Sequence, residues 1–149
     1  MLPPDPPRAL KANTLHASCV TVQDRGLLIV GASGSGKSGL VLEMMALGAM
    51  LVADDRVILD RNDQDLIARV PGPIAGLIEM RGVGLLRAEH APSTVISAVV
   101  DMDQVEQDRL PQSHLVEMSG LQVTLLKRVE SPAFPASLMQ YLKSGRHTP

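Results

Sequence analysis

The chain has 149 residues, of which 45% are apolar and 1% aromatic, and its formal net charge is −2 at pH 7. This length supports one domain with one core. The charge and the scarcity of aromatic side chains argue against nucleic acid as a partner. The sequence contains no run of about 18 apolar residues, the length that a membrane-spanning helix needs. A single cysteine, Cys19, excludes an internal disulfide and favours a reducing cytoplasm.

The first elements predict a hairpin that leads into a helix. Residues 1–12 hold four prolines and predict a flexible arm, which leaves 13–149 as a single domain. Residues 15–22 and 26–30 predict two strands joined by a polar turn. In the helix that follows, Leu40, Met44 and Leu47 share one face, and Gly48 stands where a C-cap glycine belongs.

The later part of the chain predicts mainly strands. They are expected at 49–53, 57–59 and 94–100, and at 114–118 and 121–126 as a second hairpin. Ser131 and Pro132 predict the start of a last helix that ends at Gly145. Because strands follow one another without alternating helices, we expect an α/β fold with a P-loop strand–loop–helix core and a mixed, largely antiparallel sheet.

Residues 31–38 read G-x-x-x-x-G-K-S, the pattern of a phosphate-binding loop. Its glycines let the backbone approach a phosphate, and the N–H groups and the helix N-terminus attract the anion. Lys37 would reach the terminal phosphates and Ser38 would place its hydroxyl on Mg²⁺. The alternative is a turn that only caps the helix. The predicted nucleotide-binding residues are Gly31, Ala32, Ser33, Gly34, Ser35, Gly36, Lys37 and Ser38.

Asp54 and Asp55 close the strand that follows the phosphate loop and its helix. Carboxylates at this end of a strand can hold Mg²⁺ or act as a base beside the γ-phosphate. A turn or helix-capping pair is the structural alternative.

Four other charged or titratable residues are weaker candidates. Glu79 and Arg81 lie beside glycines in an apolar run, where a site and a structural ion pair are both compatible with the pattern. His16 sits alone in a predicted strand, where a surface or core histidine is the default interpretation. Arg109 is one arginine in a polar loop, and its type and position alone indicate no function.

Taken together, three motifs resemble the catalytic C-terminal domain of HPr kinase/phosphorylase. They are the phosphate loop with its strand at 28–38, L-V-A-D-D at 51–55 and I-E-M-R-G-V-G at 78–84. The resemblance runs from about residue 16 to residue 87. It implies the HPr kinase/PEP carboxykinase-like fold and an enzyme that phosphorylates a serine of the phosphocarrier protein HPr. Many members of that family also remove the phosphate, using inorganic phosphate.

The resemblance implies roles for the residues that transfer the phosphoryl group. Asp54 would take the proton from the acceptor serine and return it in the reverse reaction. His16 would lie beside Asp54. Lys37 would hold the transferring group, and Arg109, in the D-R-L at 108–110, would be a later active-site arginine.

The resemblance also implies how ATP and Mg²⁺ are held. Ser38 and Glu79 would serve Mg²⁺, and Asp55 is the further candidate ligand. Arg81 would help to neutralise phosphate charge. Only the proline-rich arm precedes the matched region, so we expect a short form of the family that lacks an N-terminal domain. The segments after residues 86 and 126 depart from the family pattern. Removal of the phosphate by inorganic phosphate is therefore a weaker expectation than phosphorylation.

The sequence therefore predicts an ATP- and Mg²⁺-dependent serine kinase acting on HPr or an HPr-like protein. A P-loop kinase for a small molecule and a non-catalytic nucleotide sensor remain alternatives, as does a kinase with another protein acceptor. We expect a homo-oligomer, because the strand edges of a small apolar domain need cover.

Overall fold

Our computed structural model describes residues 13–147, in which strands cover more of the chain than helices do. The predicted arm at 1–12 lies outside the described residues. The strands are β1 (Thr14–Leu15), β2 (Ser18–Val22), β3 (Arg25–Val30), β4 (Met50–Ala53), β5 (Val57–Arg61), β6 (Leu66–Arg69), β7 (Leu77–Met80), β8 (Gly84–Arg87), β9 (Ser93–Val105), β10 (His114–Met118) and β11 (Leu121–Arg128). The helices are α1 (Lys37–Ala46) and α2 (Phe134–Ser144), with a 3₁₀ turn at Gly72–Ile74. Within residues 13–147, neither helix is long and apolar enough to cross a bilayer.

Nine of the strands form one curled, mixed sheet around the long strand β9. One edge of β9 pairs with β3, in parallel. The other edge pairs with β6, antiparallel, at the start of β9 and with β11, in parallel, farther along. The remaining order is β6-β5-β1 on one side and β3-β2-β4 on the other, all antiparallel. The mixed α/β fold is as predicted, with parallel pairing in this sheet confined to β3–β9–β11.

The strands β7 and β8 form a separate antiparallel hairpin. It carries the E-M-R-G-V-G segment, and its turn places Gly82 at φ 84°. That conformation is accessible to glycine at little cost. The sequence predicted no hairpin at this point.

Two apolar clusters lie on opposite faces of the sheet. Val20, Leu27 and Ile29 face the helices, while Cys19 and Leu28 belong to the cluster inside the curl. Because β2 and β3 are buried on both faces, their sequences read as nearly continuous apolar runs. These two strands fix the position at which the phosphate loop leaves the sheet.

The end of α1 follows the prediction. The Gly48 N–H donates to Met45 O and the Ala49 N–H to Met44 O, each at 3.0 Å, with Gly48 at φ 111°. These paired bonds are the Schellman motif, which satisfies carbonyls that a helix end leaves free.

Three predicted elements differ in their bounds. The strand at 15–22 is broken by His16 and Ala17, so that β1 pairs with β5 while β2 pairs with β3 and β4. The strand at 94–100 continues through polar residues to Val105, because its backbone pairs with β3 and β11. The helix α2 begins at Phe134, since Ser131 Oγ accepts the Ala133 N–H in a preceding turn (3.1 Å).

Cys19 should be inert in the native protein. It is fully buried in β2, and burial raises the pKa of its thiol well above the ordinary value, because the thiolate would lose its hydration. We expect an aromatic disulfide reagent to label Cys19 only as fast as the chain unfolds, and at once in denaturant. Rapid stoichiometric labelling in native buffer would show that this part of the core opens readily.

Candidate active site

The phosphate loop joins β3 to α1, so the predicted strand–loop–helix arrangement is present. Gly36, at φ 99°, is the N-cap of α1. Gly31, at φ 150°, is crowded: a Cβ there would lie 2.6 Å from Ser35 Oγ and 3.0 Å from Met102 Cβ. Both the backbone conformation and the available space therefore require glycine at position 31.

Lys37 folds back over the loop that precedes it. Its side chain is buried, and Nζ donates to Gly31 O at 2.8 Å and to Ala32 O at 3.0 Å. An ammonium group has three N–H donors, so one remains for a phosphate oxygen. The buried Ser35 Oγ has no hydrogen-bond partner among the described residues. The loop thus holds a positive charge with one unused N–H donor and a buried hydroxyl without a partner among the described residues.

Asp103 anchors the loop from the neighbouring strand. The Ala32 N–H donates to Asp103 Oδ2 at 2.8 Å, and the Asp103 N–H donates to Asp101 Oδ1 at 2.9 Å. The parallel pairing of β3 with β9 brings these residues together across 71 positions of sequence. Motif and spacing did not predict this contact; the acidic residues directly after the apolar strand 94–100 were the available signal.

Asp54 follows β4 and connects the acidic motif to the phosphate loop. Its side chain is buried, and Oδ1 accepts hydrogen bonds from Ser38 Oγ at 2.7 Å and Ser18 Oγ at 3.0 Å. The Glu79 N–H donates to Oδ2 at 3.3 Å. A buried carboxylate needs such donors to replace water. Ser38 and Asp54 together present adjacent oxygen atoms of the kind that Mg²⁺ binds.

Asp55 faces a different environment from its neighbour. It adopts φ 75°, in the left-handed region that aspartate tolerates better than most residues. Asp55 Oδ1 lies 2.7 Å from His16 Nε2, and both side chains are more than half exposed. A cavity of about 310 Å³ opens at this pair and is lined by Thr14, Leu15, His16, Asp55 and Arg56.

The hydrogen-bond partner of His16 is Asp55, the residue that follows the Asp54 beside which the resemblance places it. Asp54 and Asp55 follow β4 directly, and Asp55 adopts the left-handed backbone. The two carboxylates have different side-chain partners, Ser38 and Ser18 for Asp54 and His16 for Asp55. His16 occupies the break between β1 and β2, on the side that Asp55 faces.

Ser18 is a site residue that the sequence analysis missed. It is fully buried, donates to Asp54, and accepts the Asp55 N–H at 3.2 Å, so one hydroxyl orients both acidic residues. The available signal was a serine at the start of a mainly apolar strand, two residues after His16.

Within residues 13–147, the side chains of the remaining predicted residues make no hydrogen bond to Asp54. Glu79 reaches it through the backbone N–H, while its side chain is exposed. Arg81 sits in the exposed β7–β8 turn, and Arg109 lies in the exposed loop after β9. Within residues 13–147, neither arginine makes a hydrogen bond or ion pair. The structure therefore brings together His16, Lys37, Ser38, Asp54 and Asp55, but not the two arginines.

Comparison with known proteins identifies the family of this chain. Residues 8–109 match the family model of the HPr Serine kinase C-terminal domain. The HPr kinase/phosphorylase of Limosilactobacillus reuteri is 35% identical over 115 residues, which are 69% of this chain and 36% of that protein. The HPr kinase/phosphorylase of Malacoplasma penetrans is 31% identical over 117 residues, 74% of this chain and 38% of that protein. The chain thus spans little more than a third of the length of these relatives.

A solved structure shares the fold. The Hpr(Ser) kinase/phosphatase from Coxiella burnetii aligns with a TM-score of 0.73 over 87% of this chain and 88% of that chain. Their sequence identity is 20%, so this likeness concerns the fold alone. The family match over residues 8–109 and the relatives at 31% and 35% identity add the sequence evidence: this chain belongs to the HPr serine kinase C-terminal domain family.

Proposed function

We propose that this chain is an ATP- and Mg²⁺-dependent protein-serine kinase that acts on HPr or an HPr-like phosphocarrier. The observation that carries the proposal is the 2.7 Å hydrogen bond between Ser38 of the phosphate loop and Asp54 of the acidic motif. It joins a phosphate-binding element to a carboxylate pair. Phosphoryl transfer requires that the reacting groups be positioned and that the negative charge of the phosphates be neutralised. The phosphate loop and the carboxylate pair, with Mg²⁺, would meet both requirements.

The residues at the phosphate loop fit a nucleotide with its Mg²⁺. The third N–H of Lys37 and the backbone N–H groups at the start of α1 would bind phosphate oxygens. Ser38 and Asp54 would hold Mg²⁺, with Glu79 near them. Within residues 13–147 no group of three or more acidic, histidine or cysteine residues forms a metal cage. This agrees with Mg²⁺ sites that use one or two side chains together with substrate phosphates. Bound Mg²⁺ would neutralise charge on the phosphates.

Asp55 is better suited than Asp54 to accept the proton of the acceptor serine. Asp54 is 6% exposed and already accepts three hydrogen bonds. Asp55 is exposed at the mouth of a cavity, where a serine on another protein can approach it. His16 orients the Asp55 carboxylate. We therefore propose Asp55 as the general base and Asp54 as a Mg²⁺ ligand. These roles are the reverse of those that the sequence resemblance implied.

The same groups can work in the reverse direction. The group that removes a proton in the forward reaction returns it in the reverse reaction. Inorganic phosphate would attack the phosphoserine to form pyrophosphate, and the released serine oxygen would take its proton from Asp55. The proposal gives no role to Arg81 or Arg109, and the homo-oligomer stays a prediction.

The first test is intact-mass spectrometry of HPr from the same organism, incubated with this protein and Mg-ATP. We expect HPr to gain one phosphate, mapped to a serine, and to lose it when inorganic phosphate replaces ATP. If HPr keeps its mass while the protein binds ATP, HPr is not the acceptor. Phosphorylation of small molecules in the same assay would then favour a small-molecule kinase, and binding without any transfer would favour a nucleotide sensor.

A further inference from the structure

The chain has a second cavity, away from Asp54 and Asp55. It measures about 320 Å³ and lies between the loop after β9, strand β11 and helix α2. Small-molecule sites begin at about this size. Phe134 and Leu138 of its lining are buried, and Leu126 and Tyr141 are partly buried against the same cluster. The cavity is therefore a mainly apolar space within the described fold.

The aromatic residues of the chain are concentrated at this cavity. Phe134 and Tyr141 are the only phenylalanine and the only tyrosine, the chain has no tryptophan, and both residues line the cavity. The rest of the core is built from aliphatic side chains and methionine. Ligand cavities typically combine aromatic and aliphatic walls with a few polar groups.

Positive charge surrounds this apolar space, although the whole chain has a net charge of −2. Arg109, Lys127 and Arg146 line the cavity from three separate segments. The guanidinium of Arg146 is engaged with Pro111 O and Ser113 Oγ. Arg109 and Lys127 have no hydrogen-bond or ion-pair partner within residues 13–147. Two cations without a partner in the described part of the chain thus border one apolar cavity.

The one acidic residue of the lining does not neutralise these cations. Glu106 Oε2 accepts the N–H groups of Gln107 and Asp108 at 3.1 and 3.2 Å, and Oε1 lies 3.7 Å from His114 Nε2. The charge and shape of the cavity therefore call for a negatively charged group joined to an apolar body.

We propose that this cavity is a binding site for a small organic anion with an apolar body. The apolar part would pack against Leu126, Phe134, Leu138 and Tyr141, and the carboxylate or phosphate head would pair with Arg109 and Lys127. The cavity shares Val129, Ser131 and Phe134 with a neighbouring groove that reaches Gly36 and Gly39 at the start of α1. The inference does not rest on the proposed kinase activity.

Tyrosine fluorescence tests this proposal directly, because Tyr141 is the only tyrosine and no tryptophan obscures it. The full-length chain, without nucleotide, is titrated with octanoate, octyl phosphate, octan-1-ol and acetate. We expect saturable changes with octanoate or octyl phosphate, and the stronger of the two identifies the preferred head group. Octan-1-ol, which lacks the charge, and acetate, which lacks the apolar body, should bind at least several-fold more weakly.

Variants separate the site from non-specific binding. Lys127→Met and Arg109→Met should each weaken octanoate binding by up to about fivefold, the upper end of what solvent-accessible charge pairs contribute. Lys143→Met is the matched control, because Lys143 is exposed on α2 and does not line the cavity. Its affinity should equal that of the unchanged chain.

Four results would overturn the proposal. They are equal binding of octan-1-ol and octanoate, equal effects of the three variants, no saturable response to either anion, and a Tyr141 signal that changes with protein concentration alone. The last result would mean that a second copy of the chain covers the cavity.

Discussion

Replacing Asp55 with Asn should reduce phosphorylation of the acceptor serine by about 10²- to 10⁴-fold, the usual contribution of a general base. Asparagine tolerates the left-handed backbone that Asp55 adopts at φ 75°, so the turn should be preserved. The variant lacks only the negative charge that would accept the proton. ATP affinity should stay within about twofold, since the hydrogen bonds of Asp55 within residues 13–147 go to His16 and Ser18 and not to the phosphate loop. Single-turnover rates and calorimetric ATP titration measure the two quantities.

Asp54→Asn is the matched control for this prediction. Asp54 lies against Ser38, so its loss should raise the Mg²⁺ concentration needed for half-maximal activity and leave part of the turnover at saturating Mg²⁺. The assignment of roles fails if Asp54→Asn abolishes transfer with an unchanged Mg²⁺ requirement while Asp55→Asn remains active. A chain that acts only as a nucleotide sensor would show no transfer before either substitution.

Replacing Lys37 with Met should lower kcat/KM by about 10²- to 10³-fold, the loss typical of removing one charged donor from a transition state. Lys37 has two functions in this structure. Its Nζ ties the Gly31 and Ala32 carbonyls together, and its third N–H remains for a phosphate. Methionine keeps the length and apolar stem but removes both, so ATP affinity should fall as well. Calorimetry and steady-state kinetics measure these losses.

Lys143→Met serves as the lysine control, because Lys143 is exposed at the end of α2. It should change neither ATP affinity nor turnover. Thermal melting of Lys37→Met separates the two functions of Lys37. A lower melting temperature without ATP would report the lost carbonyl contacts, and normal ATP affinity would contradict a role in phosphate binding.

Local sequence signals predicted the elements whose causes are local. The phosphate loop, the glycine end of α1 and the two-residue turns of the hairpins β2–β3 and β10–β11 depend on neighbouring residues. Residue types at fixed offsets decide them. For the same reason Gly145 was correctly predicted as the end of α2.

Contacts between distant strands determined what the sequence could not predict. Nothing near His16 in sequence indicates that β1 leaves β2 to pair with β5, and this break brings His16 to Asp55. The polar residues after position 100 extend β9 only because β3 and β11 flank them. The bond from Ala32 to Asp103 arises from the same pairing. The acidic residues could be identified from the sequence, whereas their hydrogen-bond partners depended on how the paired strands align.

The position of β9 also determines when the phosphate loop can acquire its shape during synthesis. On the ribosome, β2, α1 and β4 emerge long before β9, so one edge of β3 stays unpaired until β9 has been synthesised. Ala32 and Asp103 are 71 positions apart in the sequence. Contacts this distant in sequence slow folding, and open strand edges favour aggregation in the meantime. The segment at 16–87 contains the three motifs but lacks the strand that completes their sheet. Expressed alone, it would be an incomplete folding unit, however complete its motifs are.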